Sequence, residues 1–76
     1  MIFTVRQGRR YRAHVRLGFF EKLASNAAVA EKFKAAGFAH VEVVGEGAER
    51  WAFGTWTGPD ATAELPSEIT DVPVEV

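Results

Sequence analysis

The chain has 76 residues, no cysteine and a formal net charge of −1, with 47% hydrophobic and 25% charged residues. That is a single small domain over 1–76, close to the lower size at which a core holds together unaided, with the composition of a folded chain. The missing cysteines exclude a disulfide framework and a thiolate metal site. No apolar run approaches the ~20 residues of a membrane span, and the N-terminus lacks the h-region of a signal peptide.

Charge is spread unevenly. Residues 1–20 hold Arg6, Arg9, Arg10, Arg12 and Arg16 and no acid. From Val41 onward the acids Glu42, Glu46, Glu49, Asp60, Glu64, Glu68, Asp71 and Glu75 stand against Arg50 alone. Two arrangements would satisfy this pattern. Strands from the two ends pair and neutralise each other within one fold. Alternatively, a basic and an acidic face lie on opposite sides, which suits head-to-tail self-association or an anionic partner.

In chain order, residues 2–5 are a short β-prone run, and Gln7-Gly8-Arg9 supplies a turn into a longer strand over 10–17, which suggests a hairpin. The longer strand alternates cleanly, with Tyr11, Ala13, Val15 and Leu17 on one face and Arg12, His14 and Arg16 on the other. Gly18-Phe19-Phe20 breaks it, and Phe20 with Leu23 is expected to fill the corner below the next element. Residues 25–38 then read as a helix. Ala27, Val29, Ala30, Phe33 and Ala36 form an apolar stripe, Ser25 or Asn26 caps the first turn, and Gly37 stands just past the end in the usual left-handed position. Glu31, Lys32 and Lys34 face water.

After the helix, residues 38–44 alternate again, with Ala39, Val41 and Val43 opposite His40, Glu42 and Val44. Gly45-Glu46-Gly47 turns the chain into an antiparallel return over 49–57. Size assigns Trp51, Phe53 and Thr55 to the core face of this return, and Ala52, Gly54 and Trp56 to the open face. Gly58-Pro59-Asp60 is a turn, residues 61–65 suit one helical turn that Pro66 stops, and Val72, Val74 and Val76 mark a tail that forms an edge strand or an arm. The expected fold class is α+β: one helix on a small antiparallel sheet in the order ββαββ, with that tail as a further edge strand.

Several of these pieces resemble the SPOR (sporulation-related repeat) domain. They are Ala13-His-Val-Arg-Leu-Gly-Phe-Phe20, Asn26-Ala27 at the helix start, Phe33-Lys-Ala-Ala-Gly-Phe38, and a hairpin ending at Gly58-Pro59. The match covers about residues 11–59. Arg16 stands where that family usually has glutamine, Ala13 where it has an aromatic, and Phe19 where it has a small residue. The second helix is nearly absent and the N-terminal hairpin is extra. The resemblance implies a βαββ sheet whose open face binds peptidoglycan glycan strands stripped of their peptides.

The residues themselves offer little catalytic chemistry. His14 and His40 are the only histidines, and a zinc site there would need a carboxylate such as Glu42. Glu42 with Glu46 or Glu49 has nothing to raise one pKa above the other, as a glycosidase pair requires. Ser25 reads as a cap and Ser67 as a turn residue, so no nucleophile motif exists, and Gly18 alone makes no phosphate loop. The expectation is a protein without enzymatic activity, cofactor or metal.

Binding chemistry is better represented. Arg12, His14, Arg16, His40 and Glu42 on the expected open face, with Trp56 beside the small Ala52 and Gly54, form a platform for a flat or sugar-like ligand. A nucleic-acid reading uses the same groups but is opposed by the overall acidity and the single exposed aromatic. Two functions follow from these residues. One is a structural, self-associating subunit, for example of a phage or other multi-protein particle, which a short chain starting at Met1 without an anchor favours. The other is a SPOR-like module binding peptidoglycan glycan. As written, the chain reads as soluble and cytoplasmic when synthesised.

Overall fold

A computed structural model describes residues 2–18, 24–64, 69 and 72–76. Among them the chain forms β1 (Ile2–Val5), β2 (Arg10–Arg16), α1 (Asn26–Ala36), β3 (Phe38–Glu46), β4 (Glu49–Trp56), β5 (Ala61–Glu64) and β6 (Val74–Glu75). The class is α+β, with antiparallel strands in two sheets: a four-stranded one ordered β3-β4-β2-β6 and a two-stranded one made of β1 and β5. The expected corner residues Phe20 and Leu23, and the stop at Pro66, lie outside the described residues.

The helix is delimited as its sequence requires. The Ser25 side chain accepts the Ala28 N–H at 3.1 Å, and Gly37 ends the helix at φ 118°, its N–H donating back to Lys34 O. Only glycine is comfortable at that angle. A second reason is steric: a Cβ at Gly37 would lie 2.8 Å from the Trp56 ring. The buried stripe consists of Val29 and Ala30, with Phe33 half-covered, whereas Ala27 and Ala36 face outward. That stripe meets Val15, Leu17 and Ala52 of the sheet, with Val43 and Ala24 at its margin.

The expected hairpin between residues 2–5 and 10–17 does not form. β1 pairs instead with β5, from Ile2↔Glu64 to Val5↔Ala61. This pairing prolongs the one between β2 and β4, which runs from Arg16↔Glu49 to Arg10↔Thr55, with the offset changed by a single residue. Between the two ladders the strands bend together. The Gly8 N–H donates to Trp56 O, the Trp56 N–H to Arg9 O, and the Gln7 N–H to Asp60 Oδ1. The turn at Gln7–Gly8 and the Gly58-Pro59 break are thus two sides of one bend. Residues 61–64 are therefore strand, not the expected helical turn: they complete a ladder that β1 would otherwise leave open.

The tail closes the opposite edge of the sheet. Pro73 is buried, β6 follows it along β2 with Tyr11↔Glu75 and Arg12↔Val74, and the Val76 N–H donates to Arg10 O at 2.8 Å. Proline at the start of an edge strand sacrifices no ladder bond. The element order is therefore ββαββββ: β6 is the expected C-terminal edge strand, and β5 is additional to the expected ββαββ. Because β6 pairs within the chain, deleting residues 72–76 should destabilise the monomer by about 1–2 kcal/mol, through lost ladder bonds and the lost Pro73 contact. The measurement is a thermal melt at low protein concentration. An unchanged Tm would show that the tail contributes nothing to the fold.

Candidate functional site

α1 covers one side of the four-stranded sheet and leaves the other open. Cα partners share a side, so Tyr11, Ala13 and Val15 of β2 lie on the helix side together with Gly54, Ala52 and Arg50 of β4. The open side therefore carries Arg10, Arg12, His14 and Arg16 of β2, and Glu49, Trp51, Phe53 and Thr55 of β4. Glu42 and Val44 of β3 join them opposite Phe53 and Trp51, and Val74 of β6 opposite Arg12.

This arrangement corrects the aromatic assignment. Trp56, expected on the open face, is on the helix side. Its ring packs edge-on against Phe38 at 5.2 Å between centroids, and its Nε1–H donates to Pro59 O at 2.7 Å. Trp51, expected in the core, is 41% exposed on the open side. The reason is space. Ala52 and Gly54 leave room for other side chains beneath the helix, and a Cβ at Gly54 would lie 3.0 Å from Phe38. Bulk arrives there from Phe33, Phe38 and Trp56, so β4 needs small residues on that face.

On the open side the indole of Trp51 is an organised group. The His14 ring stacks on it at 4.6 Å and 28°, and the Arg12 guanidinium carbon lies 5.2 Å from its centroid. Both are cross-strand contacts of the kind that stabilise a sheet face. Arg16 pairs with Glu49 at 3.1 Å, and Arg10 approaches Glu42 at 3.9 Å while donating to His40 O. Beyond this face, Arg9 pairs with Glu75 at 3.3 Å. Arginines of the N-terminal segment thus meet acids of the C-terminal half inside one fold, the first of the two charge arrangements open to the sequence.

Of the six expected site residues, Arg12, His14, Arg16 and Glu42 share the open face. Trp56 does not, and Trp51 takes its place. His40 stands apart at φ 51°, in a bulge between Ala39 and Glu42 at the edge of the sheet. The bulge also turns Ala39 to the open side, opposite Thr55, against the expected alternation with Val41 and Val43. Among the described residues no group of three or more His, Asp or Glu side chains could hold a metal ion.

Sequence reasoning missed Arg50, which is only 4% exposed. Its Nη1 donates to Asn26 Oδ1 at 2.8 Å and its Nε to Gly47 O, while Asn26 Nδ2 donates to Gly45 O. One guanidinium and one amide thereby tie the first turn of α1 to the β3–β4 turn. The available signal was Asn26, an amide at a helix start with more hydrogen-bonding capacity than a cap uses.

The helix side also encloses a cavity of about 460 Å³, lined mainly by apolar side chains such as Tyr11, Leu17, Val29, Phe33 and Ile69. Leu17 and Ala24 of its lining are joined through residues 19–23, which lie outside the described residues, so the cavity is not taken as a site. No helix among the described residues is long and apolar enough to cross a membrane. Compared with family models, with curated proteins and with solved structures, the chain matches none.

The two tryptophans should separate in a melting experiment. Full burial makes Trp→Ala cost about 3–5 kcal/mol; Trp56, half-covered, should lose roughly 2 kcal/mol, enough to lower Tm by about 8–16 °C in a domain of this size. Trp51→Ala should lose about 1 kcal/mol or less, since its contacts are exposed cross-strand ones. The reverse order would move the β2–β4 register by one residue.

Proposed function

We propose that this protein is a non-catalytic assembly subunit that docks its open sheet face onto a protein surface, most simply that of a second copy, as in a phage or other multi-protein particle. The observation that carries this reading is Trp51. An indole exposed on a sheet face, with Val44 exposed beside it on β3 and Val74 exposed on β6 beyond Arg12, is apolar surface that a solitary domain has reason to cover. Tryptophan and arginine are also the residue types that concentrate binding energy at protein interfaces, and Arg12 already lies against this ring.

The same indole supports a second reading. With Arg12, His14 and Arg16 around it on the open face of β2-α1-β3-β4, it offers what the SPOR resemblance would use to hold peptidoglycan glycan. The contacts favour the first reading. Two of the chain's own side chains already lie against the ring, which leaves less bare π surface than a sugar platform offers. The charges of the face are mixed in sign, as in protein interfaces.

Sedimentation velocity over a concentration series decides between them. Self-association that Trp51→Ala abolishes, with the monomer's melting nearly unchanged, is the expected result. A protein that stays monomeric and is retained by peptide-free peptidoglycan, with retention lost in Trp51→Ala, would establish the second reading in its place.

A further inference from the structure

We infer that two copies pack open face to open face about a two-fold axis running along the strands between β2 and β4, so that Arg16 of each copy meets Glu49 of the other. The inference rests on the self-association reading and adds its geometry. It follows from how charge is distributed across the face. The cations Arg10, Arg12 and Arg16 all stand on β2, whereas the acids Glu42 and Glu49 stand on β3 and β4, to one side. The face is therefore divided across its strands into a positive and a negative half.

Two in-plane two-fold axes pack the faces of two copies with their strands aligned. An axis across the strands lays β2 over the partner's β2 and sets arginine against arginine. An axis along the strands exchanges the halves: β2 lies over the partner's β4, and β6 over the partner's β3. The second sets Arg16 against the second copy's Glu49, with Arg10 over its Thr55 and Glu42 over its Val74, whereas like charges placed face to face oppose the first. In that arrangement the residue facing each side chain is the counterpart of its own cross-strand neighbour. Arg16 then faces the second copy's Glu49, Arg12 its Phe53, and His14 its Trp51, which places both indoles near the axis.

The face suits such a contact in size. Three strands about 4.8 Å apart and seven residues at about 3.4 Å each make a patch of roughly 14 Å by 24 Å, to which the two-residue β6 adds a short strip. Two such patches bury on the order of 700–800 Å², below the standard interface size and on the scale of a weak, reversible contact. The intrachain pair between Arg16 and Glu49 does not oppose it. Their side chains remain 62% and 61% exposed, so each can accept a second partner.

Charge exchange tests the axis. Glu49→Arg and Arg16→Glu should each fold, because both side chains are exposed, and each should run as a monomer where the parent associates. Mixed one to one, they should associate again, because every Arg16–Glu49 contact between copies is then of opposite sign. Within each chain the two positions still carry like charges, so repair of the fold cannot explain recovery. The control is Glu42→Arg mixed with Arg16→Glu, which has the same net charges without the matched positions. It should associate roughly tenfold or more weakly than the matched mixture. If the matched mixture stays monomeric, or the control recovers equally well, the axis is wrong while self-association stands. If both single variants associate as the parent does, Arg16 and Glu49 do not meet across the interface and the proposed axis is wrong. If the parent is monomeric throughout, the underlying reading fails and this geometry with it.

Discussion

Ala13 lies opposite Ala52 across the two central strands, and this match decides which side of the sheet every residue of β4 occupies. Side chains alternate with a period of two, so a slip of one residue would exchange the whole set. In the observed register the smallest residues of β4 lie under the helix and its exposed indole faces out. Ala52 is 2% exposed, and Phe38 packs so closely on Gly54 that a Cβ there would lie 3.0 Å from it. The opposite register would bring Trp51 and Phe53 beneath a helix whose own contribution includes Phe33, with Phe38 and Trp56 displaced to water. The register thus sets Ala52 and Gly54 with Phe38 and Trp56 on the helix side, and in turn builds the open face.

A buried arginine supports the same choice. Arg50 shares its side of β4 with Ala52 and Gly54, so the register that buries the small residues also buries a guanidinium. Burying a charge is costly unless its hydrogen bonds are met, and here Asn26 and Gly47 meet them. The arrangement sets a cation near the N-terminal end of α1, where the helix dipole is unfavourable, with the Asn26 amide oxygen between. Helix and hairpin turn are thereby tied to each other.

Much of this architecture was legible in the sequence. The alternation of Tyr11, Ala13, Val15 and Leu17, the caps at Ser25 and Gly37 and the turn at 45–47 each depend on neighbours a few residues away. The face of β4 was not legible, because Arg-Trp-Ala-Phe-Gly-Thr-Trp has apolar residues on both sides and size alone pointed the wrong way. What resolved it is non-local: Phe38 against Gly54, and Asn26 against Arg50. The pairing of β1 with β5 was hidden for the same reason. Val5 and Ala61 are far apart in sequence, and nothing near either one signals that the β2–β4 ladder continues past a bend. Of the site, the β2 side chains were placed correctly, and the aromatic that accompanies them was Trp51 in place of Trp56.

The open face also differs from the sheet's edges in how it meets water. A bare edge invites pairing with other chains, and both edges here are blunted. On one side β6 is only two residues long and follows the buried Pro73. On the other, β3 is interrupted by the bulge at His40 and carries Glu42 and Glu46, which would repel a second β3 laid alongside. Among the described residues the face has no such obstruction. Its arginines and glutamates keep it in solution, and the pair of Arg16 with Glu49 is exposed and worth at most about 1 kcal/mol, so a partner that brings the opposite pattern can engage these two at little cost. Among the described residues the single helix covers one side of the four-stranded sheet. The chemistry of the remaining side, apolar at Val44, Trp51 and Val74 and divided by sign across its strands, directs association to the face and away from the edges.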